Sequence, residues 1–319
     1  MAADENRRII GLAPMFEEHA MGKSALGLML QPFGRSHSME TMTDEPIVLL
    51  RRHAEDRAIA ALLAHLSADA HRGRWDIAVV RRYGSVRPRL GAVALSPLLD
   101  CFELSRPVSG PLILPLPSTF DEFRRHLSKS MRDNLAYYPR RLSREQGEWS
   151  VEFVRDREDV SVATQEMIEL HRQRSQWSHG VRHRNHIAGE HEAAFLHGWF
   201  QRIADQGQVS LVRLRVGSRV AAVQAFVEFG GALVPYYSGH SEHWRRYSPL
   251  TIIMAEALRD AIARGVERVV FPPGEDAWKT RWGACHPQPS EETSLYTAGL
   301  LPLVRGALRR LVRARRGID

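Results

Sequence analysis

Apolar residues run along this chain in two rhythms, and each change of rhythm marks an element boundary. Short apolar runs beside Gly and Pro predict strands at Ile9–Phe16 and Ala25–Phe33, with a further candidate at Pro46–Arg52. Asp56–Ala70 carries apolar residues at helical spacing with no breaker and predicts a helix; Trp75–Arg82 predicts a buried strand. The Pro-rich stretch Arg106–Phe120 interrupts the pattern and reads as the connection between two halves.

The second half is more regular. Ser118–Gly147 is helical and increasingly basic, with Ser118 or Thr119 as cap and Asp121 and Glu122 in the first turn. A strand (Trp149–Asp156), an amphipathic helix (Asp159–Trp177), a polar, His-rich loop (Ser178–His191) and a helix stopped by Gly207 follow. Gln208–Arg215, Val220–Phe229 and Ala232–His240 predict three consecutive antiparallel strands, the last two joined at Gly230 and Gly231. Ser248–Gly265 is the clearest helix, with Ser248 as cap, Pro249 at its first position and Gly265 as stop. Glu267–Phe271 is a short strand, Gly274–Gly283 a turn into a short helix, and Ser294–Ala298 a strand expected to close the second sheet. Gly299–Gly317 is a basic amphipathic helix.

Composition narrows the class. Of the 319 residues, 44% are hydrophobic and 25% charged, which suits a globular protein of one or two domains. The formal charge of +7 invites a nucleic-acid reading, but the basic residues are almost all arginine, with lysine only at Lys23, Lys129 and Lys279. Arginine forks suit phosphates of any origin, including RNA, CoA and lipid headgroups. Cys101 and Cys285 lie far apart, so neither a zinc motif nor a disulfide framework is expected, and a reducing compartment fits. The start has no signal-peptide core, and no apolar run reaches membrane-spanning length; the expectation is a cytoplasmic protein.

The order strand, two helices, three antiparallel strands, helix, strand, helix, strand is the GNAT plan, and the wording of five stretches sharpens it. SKSMRDNLAYYPRRL, LHRQRSQW, LVRLRVGSRVAAVQAF, YYSGHSEHWRRYSPLTIIMAEALRDAIARG and GEDAWKTRWG resemble the CelD/BcsL-type (cellulose-biosynthesis, BioF-like) acetyltransferases of the GNAT superfamily over Ser118 to about Ala298. GLAPMF and WDIAVVRR resemble that family's amino-terminal part. The chain departs from the pattern at Leu250, where Gly is usual, at Val270, where Asp is usual, and at Trp278, where Tyr is usual. The resemblance implies an α/β (α+β) fold of tandem GNAT-like halves, with mixed, mostly antiparallel sheets flanked by helices. Its expected divisions are a truncated first half at 1–117, an acyltransferase domain at 118–298 and a basic C-terminal helix at 299–319.

It also implies acetyl-CoA or another acyl-CoA as co-substrate, no metal, and a small-molecule or carbohydrate acceptor. In such enzymes an amine attacks the thioester directly, which requires a pyrophosphate site, a proton acceptor and a donor for the leaving thiolate. The helix start after His240 offers phosphate partners in Arg245, Arg246, Ser248 and Thr251. Candidates for the chemistry are Tyr236, Tyr237, His240 and Glu228; strand alternation sends one of the two tyrosines to each sheet face. His240 belongs to the residue type that titrates near neutrality and suits a base, though a plain loop histidine is the more ordinary reading. Lys279, Trp282 and Trp177 are candidate substrate contacts, with core packing the plainer reading for the tryptophans. The histidines at 179, 183, 186 and 191 lack the partners of a metal site and read as a lid over the acceptor. The basic tail suits either docking or an anionic membrane surface. Two competing readings stand beside acyl transfer: a FemAB-like transferase that uses aminoacyl-tRNA, with the basic segment Arg132–Arg144 meeting the tRNA, and a non-catalytic binding module.

Overall fold

Glycines and prolines set most of the element ends, and apolar periodicity sets the face each element buries. The structure, a computed structural model, describes residues 1–23, 28–32, 49–72, 74–83, 101–177, 183, 185–274, 276–283 and 285–297. The expected C-terminal helix therefore lies outside the described residues. The chain divides into two units, Met1–Gly110 with Gln288–Asp319, and Pro111–Pro287.

The first unit opens with β1 (Ala2–Ala3), β2 (Ile9–Leu12), β3 (Met15–Lys23), β4 (Leu28–Pro32) and β5 (Leu49–Leu50). β1, β2 and β5 form a small antiparallel sheet. Helix α1 (Glu55–His71) follows, with Glu55 and Asp56 where the helix dipole favours acids. Its Ile59 and Leu63 pack on Trp75, whose indole Nε1 donates to the Leu66 carbonyl at 3.1 Å. β6 (Ile77–Tyr83) and β7 (Cys101–Val108) complete this stretch.

The second unit begins with β8 (Leu112–Pro115), inside the stretch expected to be a mere connection. Its prolines flank the apolar triplet Leu112–Leu114, leaving that triplet free to pair with another strand. Helix α2 (Phe120–His126) is capped by Thr119, whose Oγ1 accepts from the Glu122 N–H at 3.2 Å. Helix α3 (Lys129–Gln146) is capped by Ser128 and ends at Gly147, whose φ of +85° favours glycine. Next come β9 (Trp149–Val154), α4 (Arg157–Ser175), α5 (Glu190–Ala204), β10 (Val209–Val216), β11 (Arg219–Phe229) and β12 (Ala232–His240). A 3-10 turn (Glu242–Tyr247) leads into α6 (Pro249–Ala263), β13 (Arg268–Phe271), the single-turn α7 (Ala277–Thr280) and β14 (His286–Pro287). Most of these elements lie within two or three residues of the expected bounds.

The seven-stranded sheet runs β14-β8-β13-β12-β11-β10-β9. Its pairings are antiparallel except β12 with β13, which are parallel and bonded only at Ala232–Arg268 and Leu233–Val269. Beyond that point β13 continues along β8, and β12 along β11. One face carries α2, α3 and α6: Phe123, Met131, Leu142, Ile253, Leu258 and Ile262 pack on Val212, Leu214 and Phe226 in one buried core. Each such fully buried side chain contributes about 1.5–3 kcal/mol of transfer free energy. The other face carries α4 and α5.

The last strand corrects the expected topology. β15 (Ser290–Thr297) inserts between β6 and β7 of the first unit, giving the order β3-β4-β6-β15-β7, instead of closing the second sheet. Leu295 is fully buried there with Trp75 and Ala78, which fixes the register. β8 and β14 take the edge of the second sheet that this strand was expected to fill. Among the described residues, no helix is long and apolar enough to cross a membrane.

Candidate functional site

The site grows from an irregularity in β12. Gln224 pairs with Ser238 and Phe226 with Pro235, so Tyr236 and Tyr237 together face only Ala225. The extra residue is a β-bulge, and it cancels the alternation that was expected to split the tyrosines between faces. Both turn toward α4 and α5. Tyr236 packs edge-on to Trp199 (5.1 Å between ring centres) and Phe200 (6.2 Å), and Tyr237 to His171 (5.7 Å). Next to the bulge, Gly239 lets α4 touch the strand: a Cβ there would lie 2.5 Å from the His171 nitrogen and 2.6 Å from Leu170 Cβ.

Histidines gather over this point. His171 is buried, with Nδ1 3.0 Å from the Ser238 carbonyl oxygen, and its Nε2 accepts from the His186 backbone N–H at 3.3 Å. The His183 ring stands edge-on to His171 at 4.8 Å. At the end of β12, His240 is buried with its ring edge-on to Trp177 at 4.9 Å. Burial first, then the Arg174 guanidinium, holds the His183 pKa down to about 3. The same two causes, in the same order, hold His240 down to about 4. Both rings are neutral at pH 7 and able to accept a proton. Among the described residues, no group of three or more metal-ligating side chains is arranged to hold an ion.

The turn after His240 sends its two arginines opposite ways. Arg245 reaches over the Trp177 ring, 5.8 Å from its centre. Arg246 turns toward α3, where it donates to Tyr247 Oη at 2.6 Å and pairs with Glu145 at 3.7 Å. Arg246 thus points to the α3 side, where Glu145 is shared with Arg141 and Arg144, and not to the Trp177 side with Arg245. Ser248, in the left-handed region at φ +49°, shares a 2.7 Å hydrogen bond with Thr251 Oγ1, and Arg281 donates to the same Oγ1 at 3.1 Å. Pro249 brings no N–H to this helix start, and the Thr251 N–H is bonded to the Ser248 carbonyl, so side chains supply much of its capacity for an anion. Alongside, α2, α3 and α6 line a cavity of about 380 Å³ that includes Phe120, Tyr138, Arg124, Arg140, Arg259 and Thr251.

Three further expected site residues are used elsewhere. The Lys279 ammonium is buried and donates to the carbonyls of Pro272 (3.0 Å), Pro273 (2.8 Å) and Gly274 (3.0 Å), with the Asp276 carboxylate at 2.7 Å. An ammonium has three donors, so none is left for a substrate, and Lys279 is a latch on its own turn. Trp282 is buried in the core shared with α6. Glu228 accepts two hydrogen bonds from Arg264, at 2.8 and 2.6 Å, near the hairpin turn after β11, and serves as a surface ion pair instead of a base. The structure adds Arg174, His171 and Arg281, which sequence spacing did not single out; each acquires its meaning from a partner distant in the chain.

Comparison with known proteins agrees with this architecture. Residues 129–280 match the family model of an acetyltransferase (GNAT) domain. That stretch is therefore similar to a GNAT acetyltransferase domain, a domain of the acyltransferase class. No curated protein sequence matches it. The fold is similar to that of FemX, with a TM-score of 0.56 at 11% identity, covering 92% of this chain and 86% of that one. It is also similar to the C-terminal domain of a putative lysylphosphatidylglycerol synthetase from Agrobacterium fabrum, with a TM-score of 0.53 at 10% identity over 98% of this chain and 87% of that one. A conserved protein of unknown function from Bacteroides thetaiotaomicron VPI-5482 gives 0.52 at 10% identity, covering 89% and 82%. The mixed α/β class expected from the sequence, with helices flanking a mostly antiparallel sheet, is the fold observed.

Proposed function

We propose that this protein transfers an acyl group, acetyl in the simplest case, from acyl-CoA to an amine or hydroxyl by direct attack on the thioester. The observation that carries the reading is the parting of β12 and β13 after Leu233 and Val269, beside the bulge at Tyr236 and Tyr237. Parted strands leave room for an extended thioester arm, which would lie beside the bulged strand that carries Tyr237 and His240.

In this scheme Ser248, Thr251 and Arg281 hold the CoA phosphates at the start of α6. Neutral His240 takes the proton from the attacking group, Tyr237 protonates the departing thiolate, and Trp177 lines the acceptor side. The new bond joins the acceptor nitrogen or oxygen to the acyl carbon, and the carbon–sulfur bond breaks. The resemblance to CelD/BcsL-type acetyltransferases supports a sugar or cell-envelope precursor as acceptor and a cytoplasmic location, with the basic C-terminal segment meeting the membrane surface.

Thermal unfolding with free CoA, acetyl-CoA and longer acyl-CoAs tests the donor. A ligand at one hundred times its dissociation constant adds about 2.7 kcal/mol. We expect a clear shift that shrinks in Arg281→Gln; a folded protein that responds to no CoA species would sink the proposal. A second donor, aminoacyl-tRNA, draws support from the arginines lining the cavity between α3 and α6. Salt-sensitive tRNA binding without any CoA response would favour it.

A further inference from the structure

Between Glu169 and Glu190 the sequence has arginines at 172, 174, 182 and 184 and no acid. Arg172 is accounted for: it donates to the carbonyls of Ile187 (2.8 Å) and Gly189 (3.1 Å) and pairs with Glu190. Arg174 differs. It is half-buried in the last turn of α4, and among the described residues no carboxylate pairs with it. Arg245, another cation, lies near enough to act on its charge, as do the rings of His183 and His240; the Trp177 backbone N–H donates to the Arg174 carbonyl at 3.4 Å, and Arg245 and His240 both pack on the Trp177 ring.

A half-buried guanidinium near a second cation, with no carboxylate paired to it among the described residues, is electrostatically costly. An oxyanion placed between them would remove that cost and accept two charge-assisted forks. Arg174 lies in the last turn of α4 and Trp177 two residues past its end, the side on which Tyr237 and His171 also lie. Ser248, Thr251 and Arg281, assigned to the donor, meet at the start of α6, which packs with α3.

We propose that Arg174 and Arg245, with Trp177 beside them, bind an anionic group, a carboxylate or phosphate, carried by the acyl acceptor. This deepens the acyl-transfer reading and rests on it for the word acceptor. The anion is held at the C-terminal end of β12, next to His240, so it orients the attacking group toward the proposed proton acceptor.

The test uses the full chain and inorganic phosphate, with sodium chloride holding ionic strength constant. Phosphate should raise the unfolding midpoint of the wild type by about 3 °C or more. The rise should shrink clearly in Arg174→Gln and in Arg245→Gln, to no more than the part due to the donor phosphate site at Ser248, Thr251 and Arg281, and persist in full in Arg246→Gln, whose guanidinium faces α3. Arg245 is exposed, so its variant keeps the fold even if Arg174→Gln does not. An equal response in wild type and Arg245→Gln, or equal loss in Arg246→Gln, would overturn the site. Acetyl-CoA titration separates the two sources of anion. Affinity within threefold of wild type in Arg245→Gln assigns the site to the acceptor; a tenfold loss gives it to the donor phosphates and overturns the proposal. If wild type binds no CoA species, the acyl-transfer reading fails while the phosphate result stands separately.

Discussion

Replacing Lys279 by methionine keeps the apolar stem and removes only the ammonium. In the native turn Lys279 is 2% exposed, and its ammonium donates to three backbone carbonyls, at 2.8 to 3.0 Å, from Pro272, Pro273 and Gly274. A hydrogen bond from a charged donor contributes about 1.5–3 kcal/mol. Three such bonds are not additive, and carbonyls in a turn regain some water, so the expected cost is about 3–5 kcal/mol, as for a broken buried ion pair. Asp276 adds little to this, because its side chain is 61% exposed and stays hydrated. For a unit the size of Pro111–Pro287, each kcal/mol lowers the midpoint by about 2–4 °C, so a fall of about 10 °C or more is expected. Circular dichroism melts and steady-state kinetics on the same preparation check it. The expected pattern is a large loss of stability with KM changed less than threefold at a temperature where the variant is folded. A midpoint within a degree of wild type, with KM for donor or acceptor raised tenfold, would show that Lys279 holds a substrate and that the latch reasoning is wrong.

Other perturbations discriminate further. Gly239→Ala drives a Cβ into backbone and side chain of α4 and should cost about 1–3 kcal/mol while displacing His171; an unchanged melt would contradict the close approach. Glu228→Gln breaks a surface pair with Arg264 and should cost under about 1 kcal/mol with kcat unchanged; a hundredfold drop in kcat would restore Glu228 as a base. If His240 is the proton acceptor, its neutral form persists down to about pH 4, so the acid limb of kcat/KM should centre near 4. A limb near 6.5 would assign the proton to a less buried group. Stability follows the same shift. The unfolded histidine binds a proton below about 6.5 and the folded one only below about 4, so stability is full above pH 6.5 and falls toward 4. Its slope is at most about 1.4 kcal/mol per pH unit for this one group, and His240→Gln should flatten it.

Local signals were legible in the sequence because they depend on neighbours a few residues apart. The 3.6-residue rhythm of α6, the Pro249 start and the Gly265 stop follow from helix geometry and glycine's freedom at positive φ. The β10–β11–β12 order follows from short turns between apolar runs. What the sequence left open depends on partners far along the chain. Ser290–Thr297 has the composition of a strand but no local mark of which sheet it enters; burial of Leu295 against Trp75 decides that. The bulge at Tyr236–Tyr237 exists only relative to the register of β11, so alternation counted along β12 alone misplaces a tyrosine. Lys279, rare in an arginine-rich chain, looked free for a ligand until folding wrapped three carbonyls around it. Arg174 carries no local mark of a site; its proximity to Arg245, His183 and His240 arises only from folding. Periodicity is a property of the chain, whereas the pairing of charges and donors is a property of the packed molecule, because only packing determines which groups lose water and to whom they turn instead.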